Sequence, residues 1–527
     1  MSSAWSIELM IPPRLVLGDL MDRLIDAVNP SAGGKRESRL LRSYYDSFDW
    51  RLYREGLTFA VETAGDDSRL LCTTLASGEI QIACSLETPM PRFAWDFPDG
   101  HPLRERLAPI LDMRALMAQA SIELAGRTVA SPDAALCLVF ANCRAINPAT
   151  NDPKPLGDWL IVEAREEARQ ASTELIADLA NEYGLEPAEA PLLLQALTAF
   201  GRRPVDPARQ PDLAIDPALR ADQATKAILR RLLAAIEINE TGVVQCTDSE
   251  FLHDYRIAVR RTRSALGQIK GVFPDRTVQR FVPGFAWLGQ ITGLPRDLDV
   301  YLLGFEELKA NLPPSLRDGL DPLREFLERR AERAHAELAR QLGSRRYLTL
   351  LASWKGFLDK PVPKRPRAAN ARMPIRERAD TRIWKIYRRA LKQGRAIRPD
   401  TPAENLHELR KTCKKLRYLL EFFQSLYPAH KIKQSIKLLK GLQDLLGEFQ
   451  DVHAQIDSLH RFSLEMRQMN SVPTETLLAM GALLGQLDQR QMTLRTNFAR
   501  RFDEFAHKDN QVHYRCLFLP QREVEDA

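Results

Sequence analysis

Two short stretches of this chain concentrate the residue types that hold oxyanions. The first runs Leu252-His253-Asp254-Tyr255-Arg256 and continues through Arg260, Arg261 and Arg263. The second runs Leu406-His407-Glu408-Leu409-Arg410 and continues through Lys411, Lys414, Lys415 and Arg417. Arg offers a planar fork of donors that fits phosphate oxygens, and Lys offers a mobile point charge. A neutral His can still donate one hydrogen bond to an oxyanion. The second stretch follows the first at an offset of 154 residues, and the same offset pairs Arg260 with Lys414, Arg261 with Lys415 and Arg263 with Arg417. It also pairs Gly293 with Gly447 and Asp297 with Asp451. A repeat of this length is a duplicated bundle, not a short solenoid unit.

The elements that must position these residues are amphipathic helices. At about 100° per residue, Arg256, Arg260 and Arg263 fall at roughly 300°, 340° and 280° from His253, a cationic stripe within about 80° of arc. Leu252, Tyr255, Val259, Leu266 and Ile269 form an apolar stripe beside it. In the second copy His407, Arg410, Lys414 and Arg417 make the cationic stripe, and Leu406, Leu409, Cys413, Leu416, Leu420 and Phe423 the apolar one. A charged helix face is ordinarily solvated, or paired with acids on a neighbour. Like charges four residues apart repel by a few tenths of a kcal/mol per pair, a cost that a ligand of regularly spaced negative charge reverses. Duplication with His in both copies favours anion binding. Asp297 and Asp451 read as residues that orient the basic side chains or cap helices.

Charge divides the chain in the same sense. Residues 1–220 hold 22 Lys+Arg and 32 Asp+Glu, net −10, which leaves 75 − 22 = 53 basic and 69 − 32 = 37 acidic residues, net +16, for the remainder. The C-terminal part therefore points at a polyanion. Residues 1 to about 200 look mixed α/β, with strands at 57–62, 79–86 and 159–162 and helical periods around 14–28 and 163–183. The stretch 201–220, with Pro204, Pro207, Pro211 and Pro217, reads as a linker. From 221 onward long helices dominate, broken at Pro361–Pro366 into halves of about 221–360 and 375–515. Seven scattered cysteines without a CxxC pair suit a reducing compartment. The N-terminus lacks a signal-peptide pattern, and no apolar run approaches the roughly 20 residues that span a bilayer. The expectation is a cytoplasmic protein that does not insert into membranes. No GxxxxGK[ST] loop, HExxH or zinc-spaced Cys/His set is present. No catalytic residue, metal or cofactor is expected. His335, His430, His453 and His460 read as surface or helix-end residues. Nucleic acid enters only as a competing polyanion, because the basic helices are poor in exposed aromatics for stacking on bases.

LHDYRIAVRRTRSAL and LHELRKTCKKLRYLLEFF resemble the two signature helices of the CHAD domain, the conserved histidine α-helical domain. RDLDV at 296–300 and LQDLLGEFQDVHA at 442–454 are similar to that family's two following elements. The resemblance covers roughly 221–510. It implies an all-α domain of two repeated helical bundles related by pseudo-twofold symmetry, with basic faces lining a channel or groove for inorganic polyphosphate, often at polyphosphate granules. Carried over, the ligand contacts are His253, Arg256, Arg260 and Arg263 with His407, Arg410, Lys414 and Arg417, joined by Arg261, Lys411 and Lys415. The region 1–200 resembles a CYTH domain, the antiparallel triphosphate tunnel, most clearly in YYDSFDWRLYREGLTFAVE. That family's opening ExExK strand holds metal and triphosphate. Here it reads Ser6-Ile7-Glu8-Leu9-Met10, so one acid and the Lys are replaced, and Thr58, Ala60 and Glu62 stand where basic residues alternate into the tunnel. The resemblance thus implies a degenerate tunnel without catalysis. A metal-dependent triphosphatase is the rival.

Overall fold

A computed structural model describes residues 4–15, 17–28, 36–86, 89–133, 135–185, 187–188, 190–204, 213–469 and 472–519. The chain divides into two compact units, Met1–Gln210 and Pro211–Ala527.

The first unit contains β1 (Ala4–Ile11), α1 (Leu17–Val28), β2 (Arg36–Asp46), α2 (Arg51–Arg54), β3 (Leu57–Ala64), β4 (Asp67–Thr74) and β5 (Glu79–Ser85). There follow α3 (Pro102–Leu111), β6 (Met117–Ala130), β7 (Leu136–Ile146), β8 (Pro153–Arg165), α4 (Arg169–Tyr183) and α5 (Leu192–Ala199). The strands close into a barrel in the order β1-β5-β4-β3-β2-β6-β7-β8, with every pairing antiparallel. The seam between β1 and β5 is short, pairing Ala4 with Ile80 and Trp5 with Glu79. It depends on Gly78, whose φ is +68° and whose carbonyl accepts from Ser6 N at 2.8 Å. A Cβ at Gly78 would lie 2.0 Å from the Ser6 carbonyl oxygen, so only glycine closes the barrel there.

Alternation along β3 sends Leu57, Phe59 and Val61 outward against Leu103, Leu107 and Leu111 of α3. Thr58 and Ala60 line the interior, where Glu62 meets Arg42. Helix α5 packs Leu192, Leu193, Ala196 and Leu197 against Tyr44, Ala60 and Ile161, with Leu193 at the interior cavity. One sequence expectation changes. Residues 163–165 extend β8 and are not helical, because Glu163 is drawn to Arg42 and Arg69 while Val162 and Ala164 are buried. Strand β7 escaped notice because its residues 138–141 are all buried, and a short continuous apolar run does not separate strand from helix.

The second unit is helical: α6 (Ala221–Val244), α7 (Ser249–Gln268), α8 (Asp275–Ile291), α9 (Gly293–Leu303), α10 (Phe305–Ala310), α11 (Pro314–Arg317), α12 (Asp321–Leu342) and α13 (Arg345–Asp359). It continues with α14 (Ile375–Arg395), α15 (Ala403–Phe422), α16 (Ala429–Gln468), α17 (Thr474–Phe505) and α18 (Lys508–Phe518). The repeat survives to the residue. Helices α6, α7 and α8 begin at Ala221, Ser249 and Asp275, and α14, α15 and α16 begin at Ile375, Ala403 and Ala429, each 154 later. The copies diverge where α8, α9 and α10 break at Thr292 and Gly304, whereas α16 runs unbroken.

Hydrogen bonds between the copies are reciprocal. Ala221 N donates to Met373 O and Ile375 N to Leu219 O, both at 2.9 Å. Asp222 N donates to Ala371 O at 3.1 Å and Arg376 N to Pro217 O at 3.2 Å. Adding 154 to one partner and subtracting it from the other turns each bond into its mate. Only a pseudo-twofold relation does this, and its axis runs through the bridge between the equivalent residues Arg220 and Pro374. Tyr301 and Gln455 are also equivalent, and they meet at 2.9 Å through the tyrosine hydroxyl and the Gln455 carbonyl.

Candidate anion-binding site

Each signature helix is held by its apolar stripe. Leu252, Tyr255, Val259, Leu266 and Ile269 are buried, as are Leu406, Leu409, Cys413, Leu416, Leu420 and Phe423. Asp248 caps α7 by accepting from Glu250 N and Phe251 N, which sets the turn before His253. Helices α7 and α15 pack against each other. Their cationic stripes therefore come together on the axis instead of facing away.

At the centre, Arg260 is exposed and its charge reaches both Arg410 and Lys414 of the other half. Burial, Arg410 and Arg260 together draw the Lys414 ammonium down to about 8. Burial lowers Arg410 as well, with Asp451 countering from 3.3 Å. On the first half Arg256 Nη1 donates to Thr292 Oγ1 at 3.0 Å, at the break between α8 and α9. Arg263 lies against Gly289, where a Cβ would sit 3.0 Å from its Nη1. Burial raises Asp297, opposed by Arg256, Arg461 and Arg296, while Asp451 adds repulsion. The two equivalent aspartates thus sit near one another, and Asp451 contacts Arg410 at 3.3 Å. Arg296 and Arg461 belong to this surround, and sequence reasoning did not single them out. Arg296 stood in the quoted RDLDV segment and could have been found there; Arg461 has Glu307 as its repeat equivalent, so no duplication signalled it.

Towards the C-terminal ends of the two helices the stripes are tied. Glu421 accepts from Arg261 Nη2 at 2.6 Å and from Arg417 Nε at 2.7 Å. Arg260 and Arg261 each hold a guanidinium 5.9 Å from the Tyr418 ring centroid. Arg261 and Arg417 are therefore partly committed to the protein. His407 Nδ1 hydrogen-bonds Gln450 Oε1, which leaves Nε2 as the nitrogen open to a ligand and makes it a donor only in the doubly protonated ring. His253 lies half-buried on the same helix face as Arg256.

Lys411 and Lys415 are not brought to the axis. Lys411 pairs with Glu408 at 2.8 Å. Lys415 is lowered by burial and by Arg389, Lys411 and Lys270. His335 is not a surface residue either: it is half-buried, with Nε2 2.7 Å from Asp299 Oδ1.

The barrel interior has a different electrostatic character. Arg42 contacts Glu8 at 3.1 Å, Glu62 at 2.5 Å and Glu163 at 3.7 Å. Arg69 pairs with Glu62 and, at 2.9 Å, with Glu163. Glu8 also accepts from Leu192 N, at the start of α5, at 2.7 Å. Burial raises Glu8, whereas Arg42 and Arg69 overcome burial at Glu62 and hold it below the usual range. The interior cavity, of about 250 Å³, is lined by Glu8, Arg42, Tyr44, Leu193 and Glu163 among others. Among the described residues no group of three or more His, Cys, Asp or Glu is placed to hold a metal ion. No helix among them is long and apolar enough to cross a membrane.

Residues 227–460 match the family model of the CHAD domain. No curated protein matches the chain in sequence. Among solved structures, the CHAD domain from the plant Ricinus communis is 26% identical, covering 56% of this chain and 95% of that one, with a TM-score of 0.48. PptA from Streptomyces chartreusis is 16% identical, covering 54% of this chain and 100% of that one, with a TM-score of 0.42. A protein from Hippeastrum, named as a candidate adenylyl cyclase with a dominant triphosphatase activity, is 13% identical. It covers 38% of this chain and 97% of that one, with a TM-score of 0.27.

Proposed function

Taking the CHAD domain of residues 227–460 as the premise, we propose that the helical unit binds inorganic polyphosphate on its pseudo-twofold axis. The observation that carries this reading is the packing of α7 against α15, which brings the repeated cationic stripes together across the two halves, with Arg261 reaching Glu421 at 2.6 Å. Cations brought together and partly desolvated cost free energy in the empty protein, and a chain of phosphoryl groups reverses that cost. His253, Arg256 and Arg263 with His407 and Arg417 extend the contact surface. Tyr418 is covered by two arginines, which leaves it unsuited to stacking on a base. The ligand class fits a protein of the cytoplasm and of polyphosphate granules.

The barrel is proposed to have no catalytic part. A triphosphate carries about four negative charges, which a tunnel must neutralise before water can attack. Here Arg42 and Arg69 are already answered by Glu8, Glu62 and Glu163.

The test is retention of the full chain on immobilised polyphosphate across a salt series, with nucleic acid as competitor. Affinity should fall steeply as salt rises, as for other condensed-counterion polymers. Salt-independent binding, or stronger competition by nucleic acid, would sink the reading. Turnover of tripolyphosphate with magnesium or manganese, lost in Glu8→Ala, would make the barrel an enzyme.

A further inference from the structure

Helix α14 carries a cationic stripe that its repeat partner α6 lacks. At about 100° per residue, Arg378, Arg382, Lys385, Arg389 and Lys392 fall within roughly 80° of arc. Their equivalents, 154 residues earlier, are Ala224, Ile228, Arg231, Ala235 and Ile238. At four of these five positions arginine or lysine in the second half stands where the first half has an apolar residue, and at the fifth Lys385 matches Arg231.

Two of these arginines are buried, Arg378 at 9% and Arg382 at 8% exposure. Arg378 Nη2 donates to the Lys270 carbonyl at 2.6 Å, and Arg382 Nη2 to Gln268 Oε1 at 3.0 Å. Both acceptors are neutral. The Nε atom of each is buried without an acceptor. Burial lowers both guanidinium groups, and no carboxylate opposes it at either. A buried cation without a counter-ion is destabilising unless something else answers its charge. Asp380 on the same helix is engaged by Arg376 and Tyr427, and Glu408 by Lys411.

Further along the same stripe the charge continues onto α15. Arg389 and Lys270 both act on Lys415. Lys414, one residue earlier and a quarter-turn or so around the helix, answers instead to Arg410, Arg260, Asp451 and Arg417. Lys414 and Lys415 therefore face different ways on α15, Lys414 towards Arg410 and Arg260 and Lys415 towards Arg389 and Lys270.

We propose that the α14 stripe, with Lys270 and Lys415, is a second phosphoryl-binding site lying off the axis, which takes the stretch of a polyphosphate chain that extends past the axial site. The proposal rests on polyphosphate being the axial ligand. It makes the complex polar: a long chain leaves the axis over the second half only.

The test uses the full chain with Lys270→Gln, Lys385→Gln and Arg389→Gln together. All three side chains are exposed, and the buried pair Arg378 and Arg382 is left intact. Circular dichroism and melting temperature should match the parent. Long-chain polyphosphate should bind about tenfold or more weakly, and the slope of log K against log salt should shrink by about 2, as expected for three lost phosphate contacts on a single-stranded polymer. Tripolyphosphate, too short to leave the axis, should bind parent and variant equally, and Arg260→Gln with Lys414→Gln should weaken both ligands. Unchanged long-chain affinity in the triple variant overturns the off-axis site and leaves the axial reading standing. An equal loss for tripolyphosphate overturns it too, by merging the two clusters into one field. Free pyrophosphate bound by the parent and lost in the variant, with long-chain affinity unaltered, would make the stripe a small-anion site and refute the continuation. A parent that binds no polyphosphate refutes the axial reading itself.

Discussion

Lys414 sits where its own charge is disfavoured, and this gives the axial site a pH signature. Its folded value of about 8 lies below an unfolded value of about 10.4. Charged Lys414 therefore destabilises the free protein below pH 8, and that penalty fades as pH rises from 8 towards the unfolded value. A bound polyanion favours the ammonium and restores its pKa. Binding near pH 9 should take up close to one proton, and affinity should stay level below about pH 7 and fall above about pH 8. Calorimetry in two buffers of different ionisation enthalpy reads the proton directly; Lys414→Arg should abolish the uptake, and uptake that persists would place the titrating group elsewhere. His335 behaves in the opposite sense. Burial would lower it, but Asp299 and Cys246 carry it up to about 10. Its contribution to stability is full below the unfolded value of about 6.5 and is lost as pH rises through 10. Asp299→Asn should cost about 2 kcal/mol in urea melts at pH 6, the range of a hydrogen bond to a charged group, and little above pH 10. An equal cost at both pH values would show a packing role instead.

The two signature helices were legible as elements because their signal is local: a 3.6-residue period, a cationic arc and one constant offset. What stayed hidden needed a second element to be seen. Arg42, Arg69 and Glu163 stand on three different strands and meet only through barrel register, so no spacing announced their network. Glu421 clamps Arg261 to Arg417 across the two halves, a contact that neither helix's own period announces. The α14 stripe was periodic in sequence but lay outside the repeated motif. The pairing of α7 with α15 also predicts how the stripes act. If one polymer engages both, each half raises its effective concentration at the other. Arg256, Arg260 and Arg263 replaced together by Ala should lose far more long-chain affinity than half of a set of independent sites. The matching change at Arg410, Lys414 and Arg417 should do similar damage, with Glu421 freed in addition. None of the six lies on the buried apolar stripes, so both variants should stay folded. A twofold loss measured by polymer titration would mean independent patches.

At the scale of the whole chain, the acidic barrel and the basic helical unit are separate bodies with opposite charge, and the repeat decides where they can be parted. A cut at residue 221 follows the first helix boundary and looks natural from the sequence. The reciprocal hydrogen bonds argue against it. Leu219 O accepts from Ile375 N and Pro217 O from Arg376 N, so residues just before α6 supply one side of the pseudo-twofold contact. Ile215 is buried at 5% exposure, and its N–H donates to Ser425 Oγ at 3.2 Å. A fragment 221–527 keeps the donors Ile375 N and Arg376 N but removes their acceptors, and it uncovers the Ile215 site. Losing two backbone hydrogen bonds, each worth about 1 kcal/mol, and one buried Ile side chain, about 2 kcal/mol, should lower its stability by roughly 4 kcal/mol against a fragment 211–527. Both should still bind polyphosphate at temperatures where both are folded, since neither cut removes a cation of the axial site. Urea unfolding of the two fragments reads the stability difference, and polymer retention reads the function. Equal stability would mean that the segment before α6 is a tether without structural weight. Loss of binding in the folded 211–527 fragment would assign the polyanion to the barrel and reverse the division of labour between the two units.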